Sequence, residues 1–353
     1  MPAGIYAVPM RRTVALVGLG LMLTACGSGG NPVAVSSDPP TPSPTATPSA
    51  SPTPLAVPEP PPTSPLSGRE AKADAQVMVV KMDNTLYAQP HENLVAADIV
   101  YVEPVEWGLT RLAAVYSSRI PKVVGPVRSA RISDIEVFAP YGDIAFVYSG
   151  AQTRLQPRLT AADWTPVSED LGSPGFHRDY ARPAPWNLMA EPRVILDAVG
   201  PVDTVQDMGL EFDPVRQPGG TKAKVVTAQW PHAAVQFRWR AKQGSYDVWM
   251  NGRQARDTAA PGVQRATSVI VQYVKEVDSG YGDKFGGVTP KSITIGSGKG
   301  LLLRDGRAHR ITWQRDSAAD ATTYLDADGV PIVLDPGQVW ILLKDRTRKV
   351  SVP

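Results

Sequence analysis

The segment Gly125-Pro-Val-Arg-Ser-Ala-Arg131 gathers a Gly-Pro turn, a hydroxyl and two arginines in a short space. Ser129 suits a helix N-cap, and a helix starting there aims unpaired N–H groups and a positive dipole end at the space where Arg128 and Arg131 begin. That is chemistry for a phosphate or a carboxylate. The competing reading pairs the arginines with Asp83, Glu103 or Glu106, so that they only fasten strand to helix.

A second set of polar residues follows short apolar runs: Asp83-Asn84, then Glu103 and Glu106, then Ser149-Gly150. If those runs are neighbouring strands with a common direction, their ends form one crevice. Asp83 and Glu103 are then candidate acid–base carboxylates for cleaving a glycan or peptide, with His177 as a further candidate. His177-Arg-Asp179 has neither the Gly-rich loop nor the Asp-Phe-Gly that a kinase needs. Ser149 lacks the upstream glycine of a nucleophile elbow. The four histidines, His91, His177, His232 and His309, are not at metal-ligand spacing, so no metal or cofactor is expected. Gly296-Ser-Gly-Lys-Gly300 lacks the Walker spacing and is expected to be a turn.

The elements that must position these residues are short. Ala75 to Met82, Asp98 to Val105, Arg111 to Ser117 and Asp143 to Tyr148 are apolar, β-branched runs bounded by turn formers, and they predict buried strands. Ser129 to Phe138 and Glu191 to Val199 predict helices. Beyond about Pro201 the pattern becomes one of hairpins, with Asn251-Gly252, Asp305-Gly306 and Asp328-Gly329 between apolar runs. The expected fold class is α+β: a mixed α/β first domain, 67–215, followed by a mostly antiparallel, β-rich second domain, 216–353. Trp239, Tyr246, Trp249, Tyr273, Trp313 and Trp340 fall at strand positions and read as core, not as a sugar-stacking platform.

Composition narrows the classes. With 36 Lys+Arg against 34 Asp+Glu among 353 residues, a net charge of +2 gives no footprint for duplex nucleic acid. One cysteine excludes an internal disulfide. Thirteen of the 35 prolines fall in residues 27–66, a stretch without aromatics, which therefore reads as a disordered linker. Its forty residues lie between a coil of about 35 Å and a polyproline rod of about 120 Å. The first half of the remainder carries 13 basic and 16 acidic residues and the second 21 and 16, a split that favours attraction between them.

Arg11 and Arg12 precede thirteen uncharged, mostly apolar residues, Thr13 to Ala25, and Cys26 follows directly to complete Leu23-Thr24-Ala25-Cys26. The run is too short to span a bilayer and has the layout of a signal peptide. It resembles a bacterial lipoprotein signal, whose lipobox reads Leu, small, small, Cys. The resemblance implies cleavage after residue 25, diacylation of the Cys26 sulfur with a palmitate-like chain, and anchoring on the extracytoplasmic face of the cell membrane. The secretion route, general or twin-arginine, stays open. Loss of Arg11 and Arg12 leaves 34 basic against 34 acidic residues, so attachment must come from lipid and not from a basic patch.

Further blocks carry a family resemblance: Val80-Lys-Met-Asp-Asn84, Ala97-Asp-Ile-Val-Tyr101, Glu106-Trp-Gly-Leu-Thr-Arg111, Val124 to Arg131 and Pro183-Ala-Pro-Trp-Asn187. Together with Ser268 to Tyr273, Ile311-Thr-Trp313 and Gly337-Gln-Val-Trp-Ile341 they resemble the YerB-like bacterial lipoproteins, built on a domain of unknown function numbered 3048. The resemblance covers Val77 to Leu343 and implies an envelope lipoprotein with two folded regions, without supplying an activity. The expected function is a lipid-anchored binding or accessory module for an anionic small molecule or cell-wall component, with a protein partner unassigned. Asp83, Asn84, Glu103, Arg111, Arg128, Ser129 and Arg131 are its expected binding residues. The alternative is an envelope hydrolase using Asp83, Glu103 and His177. Cys26→Ser is expected to move the protein from the membrane to the soluble fraction on fractionation, and unchanged retention in the membrane would refute lipidation.

Overall fold

The computed structural model describes residues 62–348 and 350–352. The expected signal peptide, Cys26 and the linker as far as residue 61 lie outside the described residues. In the first half the strands are β1 (Met78–Asp83), β2 (Ile99–Pro104), β3 (Thr110–Tyr116), β4 (Ala145–Tyr148), β5 (Thr165–Ser168), β6 (Phe176–Arg178) and β7 (Leu188–Ala190). Its helices are α1 (Ile132–Phe138), α2 (Gln156–Thr160) and α3 (Pro192–Val199). All are short, and strand far outweighs helix, which places the fold at the β-rich end of the α+β class. The first three strands fall within a few residues of their sequence expectations, because a continuous apolar run covered on both faces has few other uses.

The second half contributes β8 (Val225–Gln229), β9 (Ala234–Arg240), β10 (Ser245–Met250), β11 (Ser268–Gly282), β12 (Val288–Ile293), β13 (Gly296–Arg304), β14 (Arg307–Arg315), β15 (Thr323–Leu325) and β16 (Val339–Asp345). The Asn251-Gly252 and Asp305-Gly306 turns have positive φ at both residues, as the tight hairpin turn requires. Gly296 to Gly300 is not a turn but opens β13. A Cβ on Gly298 would sit 2.6 Å from the Trp313 indole nitrogen, so these glycines let a neighbouring strand's side chain lie flat on the backbone.

One sheet runs through both halves in the order β15-β14-β13-β11-β16-β2-β3-β1-β4-β5, and β12 pairs with the far end of β11. The hairpins of the second half are antiparallel, but β16 is not: it lies parallel to both β11 and β2. The described residues belong to a single compact unit. The smaller sheet β8-β9-β10 covers one face through Val235, Phe237, Tyr246 and Val248, while Phe138 of α1 packs on the other with Phe146 and Tyr148. Tyr246, Trp313 and Trp340 are buried; Trp239, Trp249 and Tyr273 are partly so.

Two expectations change here. The charge split between halves does little, since among the described residues one ion pair crosses the join, Lys291 to Glu136 at 2.9 Å. Shared strands and core hold the halves together. The expected linker runs through Leu66, yet the chain is already folded by then: Thr63 bridges Glu70, Ser64 is buried, and Leu66 has no exposure. Proline-rich composition conceals one core residue. Leu66→Ala is expected to lower the unfolding free energy by about 2–5 kcal/mol in denaturant titration, as for other fully buried leucines, whereas a linker residue would show no change.

Candidate functional site

The strands that carry the expected site residues do run the same way. β1 is parallel to β4, β4 to β5, and β1 and β2 flank the antiparallel β3, so the ends of β1, β2 and β4 lie along one edge of the sheet. Alternation puts Lys81 and Asp83 of β1, Glu103 of β2 and Arg111 of β3 on one face, with Asp83 opposite Arg111 and Arg111 opposite Glu103 in register. α1 and the segment before it cover that face: Arg128 N–H donates to the Lys81 carbonyl, and α1 supplies Asp134.

Lys81 is the centre of the inner group. Its Nζ donates to Glu103 Oε2 and to Asp134 Oδ1, both at 2.7 Å, and none of the three is more than 1% exposed. Burial pushes Glu103 up from 4.5 to about 8, Asp134 pushes the same way, and Lys81 opposes them. Burial also works to lower the lysine, but Asp134 and Glu103 outweigh it and hold it above its ordinary value. Glu103 Oε1 has no partner among the described residues. A lysine set in the apolar run from Val77 to Met82 is the sequence signal for this cluster, since a buried ammonium demands carboxylates. Neither Lys81 nor Asp134 stands among the expected site residues.

The outer group is made of arginines. Arg128 Nε lies 2.8 Å from Asp83 Oδ2, and Arg111 Nη1 approaches the same oxygen at 3.1 Å. Burial works to raise Asp83, but Arg111, the hydrogen bond from Thr85 and Arg128 together hold it below the usual carboxylate range. Arg131 grips Glu106 Oε2 through Nε at 3.0 Å and Nη2 at 2.6 Å, and its Nη1 donates to the Ala130 carbonyl. Thr289 of β12 donates its hydroxyl to the other oxygen of Glu106. Asn84 is buried and donates to the Thr110 hydroxyl.

The structure therefore divides the two arginines of the Gly-Pro segment. Arg131 is fully engaged. Arg128 uses only Nε, and its side chain keeps 24% exposure. Arg111 is the more telling residue: its side chain is 8% exposed, yet Nε and Nη1 make no hydrogen bond, the contact with Asp83 lying outside hydrogen-bond geometry. Burial, with Arg128 and Arg131 nearby, lowers its pKa to about 10 against the opposing pull of Asp83. Three guanidinium groups thus share the carboxylates of Asp83 and Glu106.

The helix contribution expected from Ser129 is absent. α1 starts at Ile132, Arg131 occupies the N-cap position, and Asp134 Oδ2 accepts the Arg131 N–H at 2.6 Å, so the helix end is answered by its own carboxylate. Ser129 is half-buried and caps nothing. His177 is not brought to the cluster: it sits on β6, with Nδ1 2.9 Å from Glu191 Oε1.

Two family models match this chain. The one described as the N-terminal domain of a protein of unknown function (DUF3048) matches residues 63–204, and its C-terminal counterpart matches 226–341. The chain is 30% identical over 125 residues to the protein named "Putative lipoprotein YerB" of Bacillus subtilis (strain 168), a stretch that spans 34% of this chain and 38% of that relative. The crystal structure of the YerB protein from Bacillus subtilis superposes with a TM-score of 0.67 at 22% identity, covering 82% of this chain and 99% of that one, which establishes a common fold. With both domains present in order, the chain belongs to the DUF3048 family, the YerB-like proteins.

Proposed function

We propose that the protein is a lipid-anchored component of the bacterial cell envelope, held by Cys26 at the outer face of the membrane, and that it binds an anionic ligand at the carboxyl ends of β1 and β2. The lipobox and the name carried by the Bacillus subtilis relative support the anchor. The observation that carries the binding reading is Arg111, a buried guanidinium with two N–H groups left without acceptors, beside an Arg128 that spends one donor on Asp83. A phosphate or carboxylate approaching the partly exposed edge of Arg128 meets donors there, with the buried charge of Arg111 behind them, and charge-assisted bonds of this kind are the stronger class. Arg131 and Ser129 contribute by shaping the segment and not as donors.

The hydrolase alternative draws less support. Asp83 is committed to two arginines and to the Thr85 N–H, Glu103 is sealed against Lys81, and His177 belongs to another hairpin. A general acid or base must reach substrate, and neither carboxylate has measurable exposure beyond 1%.

Arg128→Ala is expected to weaken phosphate or carboxylate binding at least tenfold by titration calorimetry while shifting the melting temperature little, because its side chain is partly exposed and makes one ion pair. An unchanged affinity would refute the site. Lys81→Met leaves Asp134 buried without its counter-charge and is expected to cost about 3–5 kcal/mol of stability.

The pH dependence of Glu103 has a definite sign. A carboxyl whose pKa rises on folding stabilises the folded state most below its ordinary value of 4.5 and loses that contribution as pH rises toward about 8. Glu103→Gln, which is neutral throughout, is expected to gain on the natural protein over that interval by on the order of 5 kcal/mol and to level off above it. Parallel denaturant titrations across the interval check this, and a constant difference would contradict it.

A further inference from the structure

A second concentration of unanswered donors lies beyond the strand-end site. Residues 86–90, which continue the chain after β1, face the hairpin that follows β10 across a cleft of about 460 Å³. Leu86, Gln89, Trp249, Arg253 and Arg256 are on its walls, and no carboxylate is. Gln89 Oε1 accepts the Arg256 N–H at 3.2 Å, which turns the amide nitrogen the other way, and that nitrogen is buried without an acceptor. The Trp249 indole N–H is likewise buried and unpaired. Arg238 is stacked on the Trp249 ring at 3.6 Å, adding positive charge behind it.

The acids that might neutralise this wall are occupied elsewhere. Asp247 is held by Arg240 at 2.7 Å and Arg265 at 3.2 Å, and Asp257 is spent on Gln264 and on the N–H groups of Asn93, Val95 and Ala259. Neither Arg253 nor Arg256 forms an ion pair among the described residues, and both are exposed. The Asn251-Gly252 turn, with both residues at positive φ, leads directly into Arg253 on the cleft wall. Two exposed guanidinium groups on a wall without a carboxylate, backed by a buried amide and a buried indole N–H that no acceptor answers, specify one ligand chemistry, an anion.

From Asp83 to Gln89 the chain spans at most about 20 Å even when extended, so this cleft and the Arg111–Arg128 site are near neighbours. We propose that the cleft binds an anionic group of a polyanionic polymer, one bearing phosphate or carboxylate groups, with successive charges of the same chain reaching the strand-end arginines. The second half of this statement rests on the strand-end reading; the cleft itself does not. Linked sites bind a polymer far more tightly than a single anion because the second contact is intramolecular.

The test uses the full chain in detergent, with inorganic phosphate and galacturonate as single anions and linear polyphosphate and polygalacturonate as polymers, the two families separating phosphate from carboxylate as the preferred group. At least one polymer is expected to bind tenfold or more tighter than its single anion. Arg253→Gln with Arg256→Gln should remove most of that advantage, Arg253→Lys with Arg256→Lys should keep part of it, and Arg193→Gln with Arg216→Gln, an equal loss of exposed charge elsewhere, should not. Melting temperatures confirm that each variant is folded. Polymer affinity that survives Arg253→Gln with Arg256→Gln, or falls equally in the charge-matched control, overturns the proposal, as does a natural protein that binds no polymer. Affinity that depends on Arg253 and Arg256 but not on Arg128 upholds the cleft and removes the strand-end site.

Discussion

The sheet is held as one piece by the placement of its last strand. β16 enters between β11 and β2, parallel to both, and so turns two runs of local hairpins into one continuous sheet. Its residues are buried on both faces, with Trp340 and Leu342 in one core and Ile341 and Leu343 in the other. Gln338, just before it, donates to the carbonyls of Leu94 and Ala97, and the Val339 N–H donates to the Asp98 carbonyl, so the C-terminal segment completes the hydrogen bonding of a loop some 240 residues earlier. Such long-range parallel pairing carries a large loop-closure cost before its contacts form. Without β16, the edges of β2 and β11 are left open.

A sheet covered on both faces has no inexpensive place for charge, and this one holds eight ionisable groups around its strand ends: Lys81, Arg111, Arg128 and Arg131 against Asp83, Glu103, Glu106 and Asp134. The inner three form a closed set in which a lysine is shared by two carboxyl groups and one of them resists ionisation. The outer five are less balanced, because three arginines face two carboxylates. The two groups differ in satisfaction and not only in the number of charges: the inner set is closed, and the outer set keeps donors unanswered.

Unanswered donors also gather in the cleft between residues 86–90 and the Asn251-Gly252 hairpin. Exposed arginines are ordinary on a protein surface. Here they share a concave wall with buried N–H groups, while the nearest acids are committed to other partners.

Residue order alone settles most of the strands and two of the tight turns. Apolar runs such as Met78–Asp83 announce their strands, Asn251-Gly252 and Asp305-Gly306 announce their turns, and the family blocks are read directly from the chain, because each depends on neighbours a few positions apart. Every choice of partner, by contrast, waits for the assembled fold. Alternation alone does not say that Lys81 meets Asp134, fifty-three positions away, nor that Arg131 is consumed by Glu106 while Arg111 is left with unanswered donors. Ser129 has the look of a helix cap, but Asp134 does that work from within the helix. Leu66 has the look of linker, but the core claims it. Pairing across a sheet is fixed by strand order and register, and those follow from the global burial of both faces and not from any local pattern.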